Sequence, residues 1–116
     1  MSILKRSLKI LRIPEEISLV GLAAKAGKVV SGEFATEKAV KTQKAFLVII
    51  AQDASENTRK KFHDMCTYYQ VPFYIIGSKE ELGRAIGKEY RASLGLTDEN
   101  FSRAVIKKIE KKRHEQ

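Results

Sequence analysis

The chain has very few of the residues from which most catalytic and metal sites are built. It contains one cysteine, Cys66, and two histidines in 116 residues. A lone cysteine cannot form a disulfide within the chain, and apolar residues recur around it at helical spacing, at Phe62, Met65 and Tyr69. We therefore expect Cys66 to be a reduced core residue. No HxxxH or CxxC spacing occurs, so the sequence predicts no metal site.

Long apolar segments are also missing. The longest apolar run extends from Ala45 to Ala51, whereas a membrane-spanning helix needs about 20 apolar residues. The basic N-terminus is not followed by a signal-type apolar region with a small-residue cleavage site. We expect a cytoplasmic protein with no membrane partner.

Enzyme motifs are weak throughout the sequence. His63 and Cys66 are three residues apart on a predicted helix, a spacing that favours packing over nucleophilic catalysis. Asp53 follows a predicted central strand, where α/β enzymes often place a catalytic carboxylate, but helix capping explains it more simply. The glycines of GSKEELGRAIG match neither GxGxxG nor a P-loop. We predict a non-enzymatic protein without catalytic residues or cofactors, and a small α/β enzyme or ligand-binding domain using Asp53 is the alternative.

Basic residues are abundant and concentrated at the two ends of the chain. Lysine and arginine number 22 against 14 acidic residues, which gives a net charge of +8. This balance favours nucleic acid or an acidic membrane surface as the partner, although basic ends can also be solvated arms that only aid solubility. We expect a basic extension over residues 1–13, a single domain over 14–110 and a charged C-terminal tail over 111–116.

Apolar periodicity predicts that helices and strands alternate along the chain. The run from Phe46 to Ala51 is so continuously apolar that it should be a central strand covered on both faces. SKEE, from Ser78 to Glu81, matches a capping box at a helix start. The predicted order is helix 14–27, strand 28–30, helix 32–42, strand 46–51, a helix from Asp53 or Ser55, strand 73–76, a helix from Ser78, strand 94–96 and a last helix around Phe101 to Ile109. Such alternation predicts an α/β fold, a three-layer αβα sandwich.

The first candidate site is the junction between the strand at 28–30 and the helix at 32–42. Ser31 and Gly32 are small, so a phosphate could reach the free backbone N–H groups of the helix start. Lys28 and Lys38 are close enough in sequence to flank that phosphate. An ordinary helix cap is the alternative interpretation.

The second candidate site lies in ELGRAIGKEYRAS, from Glu81 to Ser93. Lys88, Tyr90 and Arg91 should be exposed together after a helix end, and this mixture of charge and aromatic surface suits phosphates and unstacked bases. Alternatively, Tyr90 is a half-buried strand residue.

These segments resemble a known family. AGKVVSG, LVIIAQDAS, the VP before a strand and the LGRAIGK block occur in the order seen in the kink-turn-binding ribosomal proteins of the L-seven-Ae and L-thirty-e type. The resemblance covers roughly residues 15 to 110, and it is strongest to the small bacterial YlxQ-like members. It implies an αβα sandwich with a mixed four-stranded sheet.

The resemblance further implies binding to a kink-turn, an RNA in which a bulge and adjacent sheared G·A pairs bend two stems sharply. The partners implied are structured RNA, including ribosomal RNA, and the ribosome, with the protein acting as a monomer. The helix start would enter the opened groove, and the later loop would cover the extruded nucleotide. Carried over by position, the helix-start residues are Lys28, Ser31, Gly32, Glu33, Phe34 and Lys38, and the loop residues are Lys88, Tyr90, Arg91 and Ala92.

One departure from the family pattern affects base recognition. Many archaeal and eukaryotic relatives have Asn-Glu where this chain has Phe34-Ala35, and that pair contacts the guanines of the sheared pairs. A further alternative is therefore a protein-interaction subunit of an RNA-processing or transcription and translation complex that has lost kink-turn recognition.

Overall fold

The computed structural model describes residues 13–115, and in this part of the chain five helices alternate with four strands. All but one residue of the predicted N-terminal extension lies outside the described residues. The elements are α1 (Glu15–Lys25), β1 (Val29–Ser31), α2 (Glu33–Lys41), β2 (Leu47–Ile50), α3 (Glu56–Tyr69), β3 (Phe73–Ile75), α4 (Lys79–Ala85), β4 (Ser93–Leu96) and α5 (Glu99–His114).

The four strands form one mixed sheet in the order β1-β4-β2-β3. Strand β4 is antiparallel to both of its neighbours, whereas β2 and β3 are parallel. Helix α1 contacts both α4 and α5, and α2 contacts α3 on the other side of the sheet. The αβα sandwich with a mixed four-stranded sheet is therefore confirmed.

The core is centred on β2, as its continuous apolar sequence predicts. All four residues of Leu47–Ile50 are fully buried, because helices cover both faces of an interior strand. Phe62 of α3 and Val105 of α5 pack into the same core. Cys66 belongs to it too, at 2% exposure, and burial raises the pKa of its thiol to about 11. Its prediction as a reduced core residue is confirmed.

Side chains cap three of the helices at their starts. Ser55 accepts a hydrogen bond from the backbone N–H of Thr58 and begins α3. Ser78 and Glu81 form the predicted capping box of α4. Asp98 caps α5 in the same way. Each cap satisfies an N–H group that has no partner within its helix.

The last helix differs from its prediction, because Lys111 to His114 continue α5 instead of forming a separate tail. Lysine and arginine are good helix formers, and their charge is favourable at a helix C-terminus. Two lysines of α5 also pair with the start of α1. The Nζ of Lys108 lies 2.7 Å from Glu15, and that of Lys112 lies 3.4 Å from Glu16. Residues 111–114 are therefore part of α5, and Lys112 attaches this end of the helix to α1.

Candidate nucleic-acid interface

The sheet register brings the two candidate segments to the same end of the molecule. Ser31, the last residue of β1, is paired with Leu94 near the start of β4. Ile50, the last residue of β2, is paired with Ser93, the first residue of β4. The start of α2 follows β1 directly, and the segment 86–92 precedes β4 directly. Residues from both segments therefore meet at the carboxyl ends of β1 and β2.

Hydrogen bonds join the two segments at this end of the sheet. The N–H of Gly32 donates to the carbonyl oxygen of Ser93 at 3.0 Å. The Nε–H of Arg91 donates to Oγ of Ser31 at 3.1 Å, across 60 residues of sequence, and Nη1 of Arg91 donates to the carbonyl of Tyr90 at 2.8 Å. Arg91 is therefore half-buried instead of fully exposed as predicted. Its guanidinium ties the loop to the β1–α2 junction.

The start of α2 differs from the starts of α3, α4 and α5, each of which is capped by a side chain. No side chain caps it, and its N-cap residue, Gly32, has φ +92° and ψ 159°. This backbone region is essentially restricted to glycine. A Cβ built on Gly32 would meet nothing within 4 Å. The first N–H groups of α2 therefore have no side-chain cap and lie at the positive end of the helix dipole.

The outer face of α2 carries an aromatic ring and a positive charge. Its inner face is buried on the sheet through Thr36, Ala39 and Val40. Phe34 and Lys38 are four residues apart and therefore share the opposite face. The side chain of Phe34 is 81% exposed. Lys38 is also exposed and forms no ion pair with any residue of the described chain.

The acidic residues of α2 are turned toward α3. Glu33, which lies at the helix start as predicted, is 3.5 Å from Nζ of Lys61, and Glu37 is 2.7 Å from the same atom. Glu37 also pairs with Lys41. The hydrogen bond that the Lys61 ammonium donates to the Glu37 carboxylate lowers the pKa of the Glu37 carboxyl and raises the pKa of the Lys61 ammonium. Lys61 therefore counters negative charge beside the proposed anion site, a role that sequence reasoning missed.

The loop 86–92 is held in place by close backbone contact with α4. A Cβ on Gly83 would lie only 1.6 Å from the carbonyl oxygen of Glu89, so no other residue fits there without displacing the loop. The N–H of Lys88 also donates to the carbonyl of Gly83 at 2.8 Å. The contact of Gly83 with the loop depends on the tertiary fold.

The exposed part of the loop consists of Gly87, Lys88, Glu89 and Tyr90. The side chain of Tyr90 is 65% exposed and precedes β4, so the alternative of a half-buried strand residue is wrong. Ala92 is half-buried, and its carbonyl accepts a hydrogen bond from Ala51 at 2.9 Å. The loop therefore presents an aromatic ring beside a lysine.

Lys28 is not at the helix start, although its position in sequence suggested that it is. It precedes β1, and its carbonyl accepts from Thr97 just beyond the end of β4. Lys28 lies four positions before Gly32, which along a strand corresponds to about 13 Å at about 3.3 Å per residue. The other predicted site residues lie at the start of α2, along its outer face, or in the loop.

Asp53 has a structural role that accounts for its position. It does not cap the helix that follows it. Its Oδ1 accepts a hydrogen bond from the N–H of Lys79 at 2.8 Å, which caps α4 from a distant part of the chain. A groove of about 730 Å³ lies between α1 and α4, and Asp53 does not line it.

Two further properties apply to residues 13–115. No group of three or more His, Cys, Asp or Glu side chains in this range could hold a metal ion. None of the helices in the same range combines the length and the apolar character needed to cross a bilayer.

Comparison with known proteins places the chain in a family. The model of the ribosomal protein L7Ae/L30e/S12e/Gadd45 family matches residues 17–108. The chain belongs to this family. It is 46% identical over 92 residues to the RNA-binding protein YlxQ of Bacillus subtilis (strain 168), which covers 79% of this chain and 92% of that protein.

Two solved structures share the fold over most of the chain. One is a Bacillus halodurans C protein of unknown function, with a TM-score of 0.82 and 41% identity, covering 84% of this chain and 99% of the other. The other is the 15.5kD RNA binding protein of Giardia lamblia, with a TM-score of 0.69 and 29% identity, covering 82% of each chain. The family and fold implied by the sequence resemblance are thus confirmed.

Proposed function

We propose that this protein is a non-enzymatic, ribosome-associated RNA-binding protein that recognises a kink-turn or a similarly kinked RNA. The observation that carries the proposal is the joining of two exposed segments at one end of the sheet. The open start of α2 and the loop 86–92 are linked by the hydrogen bond from Arg91 to Ser31. The RNA-binding names of the Bacillus subtilis and Giardia lamblia relatives support it.

The chemistry of the two segments suits different parts of a bent RNA. The uncapped N–H groups after Gly32 would bind a phosphate oxygen, because they carry the positive end of the helix dipole. Lys38 and Lys88, both exposed, would meet neighbouring phosphates. Tyr90 would cover an extruded nucleotide by stacking. Kinked elements offer such unstacked bases, whereas a regular A-form helix does not.

Arg91 has a positioning role in this proposal. Because its guanidinium is bound by Ser31 and by the carbonyl of Tyr90, it orients the loop against the start of α2. The start of α2 and the loop 86–92 would then contact the RNA with a fixed position relative to each other. We propose that the protein binds as a monomer in the cytoplasm, with ribosomal RNA as the partner.

Calorimetric titration against two RNAs tests the proposal. One RNA is a kink-turn, and the other is the same RNA with its sheared G·A pairs replaced by Watson–Crick pairs. We expect at least a tenfold preference for the kink-turn, which corresponds to about 1.4 kcal/mol. Equal affinities would refute kink recognition, and no binding to either RNA would favour the protein-interaction alternative.

A further inference from the structure

Phe34 is exposed to a degree that folding does not explain. Its side chain is 81% accessible, the highest value among the exposed large hydrophobic residues of the described chain. An aromatic ring in water contributes little to stability, since the hydrophobic effect acts on surface that is removed from water. Ala39 and Val40 of the same helix already anchor it to the sheet. The ring is therefore available to a partner.

The charges around Phe34 indicate the chemistry of that partner. Lys38 is one turn away on the same face, and the uncapped start of α2 begins two residues before the ring. The two acidic side chains of α2, Glu33 and Glu37, are both paired with Lys61, and Glu37 also pairs with Lys41. Because Lys61 and Lys41 balance these two carboxylates, Lys38, unpaired within the described chain, leaves a net positive charge on the side of α2 that carries the ring. An aromatic ring beside cations is the arrangement that binds single-stranded nucleic acid, because the ring stacks on a base and the cations meet phosphates.

We propose that Phe34 is a stacking platform for an unpaired nucleobase of the bound RNA, an inference that rests on the proposed RNA-binding function. Every base has a π-face, so this contact selects an unstacked base and tolerates its identity. The start of α2 would then bind an unstacked base through Phe34 in addition to binding a phosphate. Tyr90, on the loop, provides a separate ring for a second base.

Phe34→Leu and Phe34→Tyr form the matched pair that tests this inference. Leucine keeps an apolar side chain but has no π-face, whereas tyrosine keeps the ring. Stacking on an aromatic side chain predicts about a tenfold loss of kink-turn affinity for Phe34→Leu, and affinity within about twofold of wild type for Phe34→Tyr. Melting temperatures should be unchanged, because the ring is exposed in the free protein.

Tyr68→Ala provides the control for exposed aromatic residues elsewhere. Tyr68 is 79% exposed on α3, outside the proposed interface, and its substitution should leave RNA affinity within twofold of wild type. In parallel, 2-aminopurine replaces each bulge nucleotide of the kink-turn in turn. Wild type should change the emission at one position or more, and Phe34→Leu should abolish the change at the position stacked on Phe34.

The outcomes separate this inference from the proposed function. If Phe34→Leu binds the kink-turn as tightly as wild type, stacking is refuted while kink recognition stands. If wild type binds kinked and straight RNA equally, kink recognition fails, and the leucine and tyrosine variants still decide whether Phe34 stacks. If wild type binds neither RNA, both are refuted and Phe34 belongs to a protein contact.

Discussion

Two substitutions of Gly32 can separate the effect of backbone strain from the effect of negative charge at the start of α2. Its φ of +92° and ψ of 159° lie in a region essentially restricted to glycine, while a Cβ there would meet nothing within 4 Å. A side chain at this position therefore costs backbone strain but produces no clash. Gly32→Asn and Gly32→Asp have almost the same shape, so they share the strain and differ in charge.

The expected cost of strain is about 1 to 3 kcal/mol for either variant. For a domain of this size, about 1 kcal/mol corresponds to roughly 4 °C in melting temperature, so both variants should melt roughly 4 to 12 °C below wild type. The aspartate should melt no lower than the asparagine, since a negative charge near a helix N-terminus complements the dipole by a few tenths of a kcal/mol or more. Because domains are typically stable by about 5 to 15 kcal/mol, both should remain folded at 25 °C.

RNA affinity should follow the charge instead of the stability. Two unit negative charges about 4 Å apart repel by about 1 kcal/mol in bulk water and by about 4 kcal/mol at an effective dielectric constant of 20. We expect Gly32→Asp to bind a kink-turn at least tenfold more weakly than Gly32→Asn, which corresponds to about 1.4 kcal/mol. Calorimetric titration and thermal melting of the same preparations measure both quantities.

Equal affinity of the two folded variants, within twofold, would show that no phosphate approaches the start of α2. Our placement of the interface would then be wrong. A lower melting temperature for the aspartate than for the asparagine would contradict the open helix terminus, because the dipole should favour the carboxylate.

Three further predictions concern the loop, the lysines and Asp53. Gly83→Ala should displace the loop, because the alanine Cβ would lie 1.6 Å from the Glu89 carbonyl oxygen. We expect titration to show at least a tenfold loss of kink-turn affinity, and an unchanged affinity would refute the role of the loop. Lys38→Gln and Lys88→Gln should each reduce the slope of log affinity against log salt by about 1, and an unchanged slope would remove that lysine from the interface. Asp53→Asn should lower stability by about 1 kcal/mol or less in thermal melts and leave RNA affinity within twofold, whereas a large affinity loss without destabilisation would place Asp53 in the site.

The local sequence is sufficient to predict most of the secondary structure and the two surface segments. The capping box at Ser78 and Glu81 depends on residues three apart, and the burial of β2 follows from its continuous apolar sequence. The α2 start follows from Ser31-Gly32 after a short strand. These features are local, so a few adjacent residues determine them.

The relation between the segments depends on tertiary structure. Arg91 meets Ser31 across 60 residues because β4 pairs with β1 in one particular register. Asp53 likewise caps α4 instead of the helix that follows it.

The physical reason is the range over which each interaction acts. Helix starts, turns and buried strands are set by neighbouring residues and by burial, and these can be inferred from sequence pattern. A hydrogen bond between distant side chains needs its donor and acceptor to be held about 3 Å apart, which only the packed sheet and helices achieve. The sequence by itself therefore determined the family, most of the elements and the segments of the proposed interface, whereas the tertiary structure decided that Arg91 joins these segments, that Gly83 contacts the loop and that Phe34 remains exposed.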